Sequence, residues 1–225
     1  MSQSNGQNSY IYKNCNSQKC TLKYRKGGVM MGEIQVEQVI TAIKKGDIKE
    51  FGILVKLYQK QLFHYIYCIV DSKEDAEDIL QDTFVTAIRK IHQYKSNTAF
   101  LAWLYRIARN LSYDFIKRKN RIVLFERSYI ENLIDENSSN EDDYFFGDSI
   151  IKKVFKQLTF KDKNILVLRI YEEKSYEEIA YITNISESAA RKQYERARKK
   201  FMNLYNQIEK EEAIYEDRRQ HENVF

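Results

Sequence analysis

The chain has 225 residues, 37 of them Lys or Arg and 32 Asp or Glu, for a net charge of +5, with 43% apolar residues, 7 Gly and no Pro. That length can bury a real core as one large or two small domains, and the composition excludes collagen-like, Pro-rich and disulfide-scaffold chains. No apolar stretch approaches the roughly 18 residues of a membrane span, the longest being Leu62 to Val70, and no apolar signal-peptide core opens the chain, so we expect a cytoplasmic protein.

Residues 1–30 hold Lys13, Lys19, Lys23, Arg25 and Lys26 and no acid, so the rest of the chain is neutral overall. We expect this polar leader to be disordered. Its Cys15 and Cys20 lack the paired spacing and His neighbours of a zinc site and read as free thiols. Lys26-Gly27-Gly28 can be encoded by a ribosome-binding-like sequence just ahead of Met30 and Met31. We therefore expect the native start at Met30 or Met31, an expectation that the intact mass of the natively expressed protein tests.

From Glu33 the apolar spacing turns helical. Ile34, Val36, Val39, Ile40 and Ile43 form a first stripe, ended by Gly46. Asp47 can cap a second helix through Val70, with Phe51, Leu54, Val55, Tyr58, Leu62, Tyr65, Ile66 and Ile69 on one face and Cys68 in its core. Ser72 can cap a third, Glu74 to about Tyr94, whose early acids suit the helix dipole and whose buried stripe is Ile79, Leu80, Phe84, Ala87, Ile88 and Ile91. Lys95-Ser96-Asn97 breaks it, and Thr98 can cap a fourth from Ala99 to about Asn120. These helices make one domain, residues 31–121. Residues 122–148 read as a flexible acidic linker around Asn137-Ser138-Ser139-Asn140. Short helices at Ile150 to Leu158, Lys161 to Tyr171 and Tyr176 to Thr183 follow, then one capped by Ser186 and running to about Gln207. They form a second domain, 149–208, before a charged tail, 209–225, that extends or frays the last helix. The expected fold class is all-α: two small helical domains, the C-terminal one a helix-turn-helix.

Charge is blocked along this plan. Asp71 to Asp82 carries six acids against Lys73, and Glu126 to Asp148 eight acids against Arg127. Arg106 to Arg121 carries six bases against Asp114, and Arg191 to Lys200 six against Glu195. Any one block alone reads as a solvated face, but two basic blocks on helices point towards nucleic acid.

The sharpest motif runs from Ser175 to Arg198, two short helices with Ser N-caps and a tight turn. Ile179, Ala180, Ile182, Ile185, Ala190 and Tyr194 can pack the pair together. This is a helix-turn-helix pattern. Its second helix offers Ser188, Arg191, Lys192, Gln193, Glu195 and Arg196 for base contacts, with Lys199 and Lys200 for phosphates. Arg can read guanine and Gln adenine; Glu195 either accepts from cytosine or repels phosphate.

Here the chain resembles a family. Leu166 to Tyr171, Ser175 to Ala180 and Ser186 to Ala197 are similar to the fourth conserved region of bacterial RNA polymerase sigma factors. Asp75-Ala-Glu-Asp-Ile-Leu-Gln-Asp-Thr-Phe84 resembles the polymerase-binding part of the second region, and Ala102-Trp-Leu-Tyr-Arg-Ile-Ala-Arg-Asn110 the promoter-melting segment after it. The motifs stand in the family's order from about Glu33 to Gln207, in the short form of the extracytoplasmic-function (ECF) type. Where the family often has Leu-Pro, this chain has Leu158-Thr159.

The resemblance implies a factor that binds core RNA polymerase and selects promoter DNA, with an anti-sigma factor as a further partner. Asp75, Glu77, Asp78, Gln81 and Asp82 would meet the polymerase clamp, with Phe84 at the apolar edge. Lys95, Ser96, Asn97, Arg106, Arg109, Asn110, Asp114 and Lys117 would hold the minus-ten single strand, a flipped base included. Ser188, Arg191, Lys192, Gln193, Glu195, Arg196 and Lys199 would read the minus-thirty-five duplex. Trp103 is expected to pack rather than wedge. The linker is either a threading segment in the RNA path or a plain tether. No catalytic constellation, metal site or cofactor is expected; His64 and His92 sit on helices without obvious partners, and His221 is in the tail. The alternatives are a free-standing helix-turn-helix regulator, which would not need the acidic helix, and a helical adaptor, which would not need the basic faces.

Overall fold

The computed structural model describes residues 33–127 and 149–222; the leader, the expected start at Met30 or Met31, and residues 128–148 of the linker lie outside the described residues. Eight α-helices follow in order: α1 (Glu33–Lys44), α2 (Phe51–Val70), α3 (Lys73–Lys90), α4 (Phe100–Arg127), α5 (Ser149–Gln157), α6 (Phe160–Leu166), α7 (Tyr176–Thr183) and α8 (Glu187–Glu222). No strand occurs among the described residues.

Local chemistry sets the boundaries. Gly46 takes φ +110°, a conformation costly for any side chain, and closes α1. Asp71 adopts a left-handed conformation and returns its N–H to the Tyr67 carbonyl, ending α2. The Ser72 hydroxyl accepts from the Asp75 amide, and Ser186 from that of Ala189, as N-caps. Thr159, where the resemblance led to an expectation of Pro, caps α6 by accepting from the Asp162 amide at 3.3 Å. A Pro there would lack that hydroxyl.

Four boundaries differ from the sequence expectation. Helix α3 stops at Lys90, and a short tight turn, Ile91–Gln93, leads on to Tyr94. Asp47 makes no side-chain capping bond; a short tight turn, Ile48–Glu50, precedes α2. Helix α4 runs on to Arg127, into the segment expected as linker. The expected helix ending at Tyr171 is instead α6 followed by a wider π-helical turn, Val167–Tyr171. The tail continues α8 to Glu222.

In the first four helices Ile40, Leu54, Leu62, Ile66, Ile69, Ala76, Ala87 and Leu104 are fully buried. Each large aliphatic side chain among them contributes about 1.5–3 kcal/mol on leaving water. In the second bundle, Val154, Ile165, Leu168, Ile179, Ile182, Ala190 and Ala197 are fully buried. Ala190 and Ala197 lie seven apart, two turns along one face of α8, and their small side chains let α6 and α7 approach. The two bundles also pack on each other: α4 meets α7, and α2 meets α6. The described residues all belong to one compact unit. No helix among the described residues is long and apolar enough to cross a membrane.

Candidate nucleic-acid interface

The acidic helix α3 buries Ala76, Ile79, Thr83, Phe84 and Ala87 and turns the opposite face outward. Glu77, Asp78, Gln81 and Asp82 are exposed. Asp75 is half-buried and pairs with Lys119 of α4 at 3.3 Å. So open a pair adds little stability, leaving the face strongly negative. Phe84 differs from the expectation: it is 8% exposed and its ring packs edge-on against Phe51, inside the core. A buried ring cannot form the apolar edge of an acidic surface.

The loop before α4 has a fixed base. Tyr94 is buried, its ring against Phe100 and Trp103, and its hydroxyl lies 2.6 Å from the Glu37 carboxylate and 2.7 Å from the Thr98 carbonyl. Lys44 donates to the Tyr94 carbonyl at 2.8 Å. Burial and the Glu37 bond push the Tyr94 phenol up from its ordinary pKa, keeping it a donor. The loop is thus held at both ends, and Lys95, Ser96 and Asn97 between them are exposed. Trp103 is 9% exposed among these rings and packs as expected.

On α4 the expected minus-ten residues divide in two. Asn110, Asp114 and Lys117 are exposed. Arg106 and Arg109 are half-buried under the second bundle: Arg106 lies over the Tyr181 ring at 5.3 Å and Arg109 over Phe160 at 5.7 Å. Arg109 also donates to the Asn110 side chain at 3.0 Å, but its Nε is buried without a hydrogen-bond partner.

The helix-turn-helix forms from α7 and α8. Ser175 and Glu178 make a reciprocal capping box: the Glu178 amide donates to the Ser175 hydroxyl at 3.1 Å and the Ser175 amide to the Glu178 carboxylate at 2.8 Å. Asn184 takes the left-handed conformation of the turn, and the Ile185 amide returns to the Ala180 carbonyl. Ser188, Arg191, Lys192, Glu195, Arg196 and Lys199 are exposed on α8. Arg191 pairs with Glu187 at 2.6 Å and lies over the Tyr176 ring at 4.4 Å. Gln193 is half-buried and donates to the Lys161 carbonyl at 3.1 Å, and Lys200 pairs with Asp162 at 3.1 Å. The adenine-reading role expected of Gln193 competes with that internal bond.

One cluster escaped the sequence altogether. Glu172, just past the π-helical turn, reaches across to the first bundle, where it accepts from the Tyr105 hydroxyl and lies 3.2 Å from His64 Nδ1. Beside it the Tyr65 hydroxyl donates to Asn164 Oδ1 at 2.5 Å. Burial foremost, with the Glu172 charge, pushes both phenols above their ordinary range. His64 therefore does have partners, Glu172 and the ring of Tyr171, where the sequence offered none. His92 is exposed, in the turn Ile91–Gln93. Among the described residues no group of His, Cys, Asp or Glu is arranged to hold a metal.

Comparison with known proteins matches two patterns in the chain. Sigma-70 region 2 matches residues 54–122, spanning α2 to α4, and Sigma-70, region 4, matches residues 149–201, spanning α5 into α8. The chain is 27% identical over 179 residues to the ECF RNA polymerase sigma factor SigW of Bacillus subtilis, covering 74% of this chain and 94% of that one. It is 28% identical over 181 residues to the ECF RNA polymerase sigma-E factor of Salmonella typhimurium, covering 75% and 93%. Among solved structures it resembles the sigma factor RpoE of Bartonella quintana, in complex with the anti-sigma factor NepR, with a TM-score of 0.57 at 22% identity, covering 70% of this chain and 98% of that one.

Proposed function

The chain belongs to the extracytoplasmic-function class of bacterial RNA polymerase sigma factors, and on that premise we propose how its surfaces divide the work of initiation. As a member it binds core polymerase and directs promoter recognition. The exposed acids of α3 (Glu77, Asp78 and Asp82, with Gln81 between them) meet a basic surface of the polymerase. Like charges at this spacing repel in an isolated helix, so a cationic partner relieves them. The loop of Lys95, Ser96 and Asn97, with Arg106, Arg109, Asn110, Asp114 and Lys117 of α4, takes the minus-ten single strand. Asn110 can both donate to and accept from a flipped base. Helix α8 enters the major groove of the minus-thirty-five duplex, with Arg191 and Arg196 reading base edges and Lys192 and Lys199 near phosphates.

The observation that carries this reading is the joint exposure of an acidic face on α3 and a basic face on α8, each within its matched region. We read the protein as an initiation factor rather than an enzyme, with an anti-sigma factor as a proposed partner. Its place of work is the cytoplasm, where polymerase and promoters are.

The test is reconstituted transcription from a randomised promoter library with core polymerase. Transcripts whose start sites share two upstream elements at fixed spacing are expected. Transcripts no different from those of core polymerase alone would contradict the proposal.

A further inference from the structure

Helix α1 lies ahead of the matched region 2, which begins at residue 54. Its apolar row, Val36, Val39, Ile40 and Ile43, is buried and accounts for its packing. That row leaves two polar residues of the helix unexplained. Glu37 and Lys44 stand seven apart, two turns along one face, and both are half-buried. Both reach the same residue, Tyr94, 57 and 50 positions further along the chain.

Lys44 takes the backbone of Tyr94 and Glu37 its side chain. The Lys44 ammonium donates to the Tyr94 carbonyl at 2.8 Å and lies 5.4 Å from the centre of its ring. The Tyr94 hydroxyl lies 2.6 Å from Glu37 Oε1 and 2.7 Å from the Thr98 carbonyl. One hydroxyl carries one proton, so the carboxylate and the carbonyl share it. The Tyr94 amide donates to the Ile91 carbonyl at 3.2 Å. The residue is 2% exposed, its ring edge-on to Phe100. Amide, carbonyl, hydroxyl and ring are thus all engaged.

Between Tyr94 and Thr98 stand the exposed Lys95, Ser96 and Asn97. Fixing each residue of such a segment costs conformational entropy, which contacts with water do not offset. Its arrangement therefore depends on its ends. The Tyr94 hydroxyl joins those ends across the three residues, and α1 holds the residue that does so by both backbone and side chain.

We propose that α1 sets the base preference of the minus-ten loop: Glu37 and Lys44 are positioning residues that fix Tyr94 and, through it, present Lys95, Ser96 and Asn97 to the strand in one arrangement. The proposal rests on the reading of that loop given under Proposed function. Glu37 and Lys44 need not touch DNA; each acts through Tyr94. A loop set before binding loses less freedom on meeting a base. It also penalises any base that asks for another arrangement.

The test is transcription by core polymerase with the full chain, from a promoter recovered by the library selection and then randomised in each element in turn. Ser96→Ala and Asn97→Ala mark the positions that the loop reads. Tyr94→Phe removes the hydroxyl and keeps the ring, so the fold should survive. Glu37→Ala removes the acceptor, and Glu37→Gln keeps an oxygen that can accept. Lys44→Met keeps a stem over the ring and loses the donor. Circular dichroism and capture of core polymerase check each variant. Tyr94→Phe, Glu37→Ala and Lys44→Met are each expected to lower the base preference at the marked positions about fivefold, the worth of one hydrogen bond. The minus-thirty-five preference should stay as it is, and Glu37→Gln should behave as the wild type. Glu37→Ala should add nothing to Tyr94→Phe, because it acts through that hydroxyl.

Unchanged minus-ten preference in variants that fold and capture polymerase, beside altered preference in Ser96→Ala or Asn97→Ala, would overturn the role of α1 alone. Loss spread equally over both promoter elements would overturn it too, as would additive effects of Glu37→Ala and Tyr94→Phe. If Ser96→Ala and Asn97→Ala leave every preference intact, the reading of the loop fails, and the role of α1 with it.

Discussion

The guanidinium of Arg191 lies 4.4 Å from the centre of the Tyr176 ring, which the guanidinium of Arg169 also approaches, at 4.7 Å. Tyr176 opens α7 and Arg191 sits in the first turns of α8, so the ring ties together the two helices of the helix-turn-helix. Glu187 holds the same guanidinium from within α8 at 2.6 Å. In the proposed role Arg191 is therefore oriented in advance, which lowers the ordering cost of a base contact.

Arg191→Ala, and separately Arg196→Ala, is expected to weaken binding of the polymerase-bound protein to a minus-thirty-five duplex by about 1–3 kcal/mol and to relax selectivity at one position each. Tyr176→Leu, which keeps an apolar filler but removes the ring face, is expected to cost about 0.5–1 kcal/mol through Arg191. Electrophoretic titration against the selected duplex and its single-base variants measures both. Unchanged selectivity in both arginine variants would refute the placement of the reading face on α8.

Ser175→Ala should lower stability by about 1 kcal/mol. It leaves the Glu178 amide without its acceptor and breaks the reciprocal box that starts α7. Thermal unfolding checks this. A Tm equal to that of the wild type would mean that the box adds nothing beyond the packing of Ile179 and Ile182.

The alkaline limb of stability carries the signature of the buried phenols. Tyr65, Tyr94 and Tyr105 are each pushed up, burial being the largest cause. Unfolded, they ionise near pH 10; folded, they stay protonated well above it. Their contribution is complete below about pH 10 and is lost as pH climbs towards the folded values. Lys163 opposes them: burial lowers its pKa, so its contribution rises with pH between the folded value and the unfolded value of about 10.4. Denaturant unfolding at pH 8 and pH 11 should show a net loss of stability. Tyr65→Phe should shrink that loss by up to about 1.4 kcal/mol per pH unit above 10. Equal losses in wild type and Tyr65→Phe would contradict the assignment of the alkaline limb to this phenol.

The helical architecture and the helix-turn-helix were legible because they are written in local terms. The Ser72, Ser175 and Ser186 caps, the stripe from Phe51 to Ile69 and the polar face of α8 each follow from residues within a few positions of one another. Asp47 misled because a capping residue type signals a helix start without saying whether a tight turn comes first. The helical spacing put Phe84 on the buried stripe of α3, where its ring packs on Phe51; only the resemblance set it at the edge of the acidic surface. The Glu172 cluster was invisible for a stronger reason. Its partners lie 67 and 108 positions away in the chain, and nothing local distinguishes Glu172 from its solvated neighbour Glu173. The bond of Gln193 to the Lys161 carbonyl is likewise a tertiary fact on a helix whose periodicity pointed outward.

The central claim is that the acidic face of α3 docks this protein on polymerase, and the direct measurement is capture of core RNA polymerase by the purified chain, wild type against an Asp78→Lys, Asp82→Lys double variant. Both positions are exposed, so the fold should survive the reversal, which circular dichroism verifies. Capture by the wild type and its loss in the folded variant is the predicted result. Equal capture by both would contradict the account.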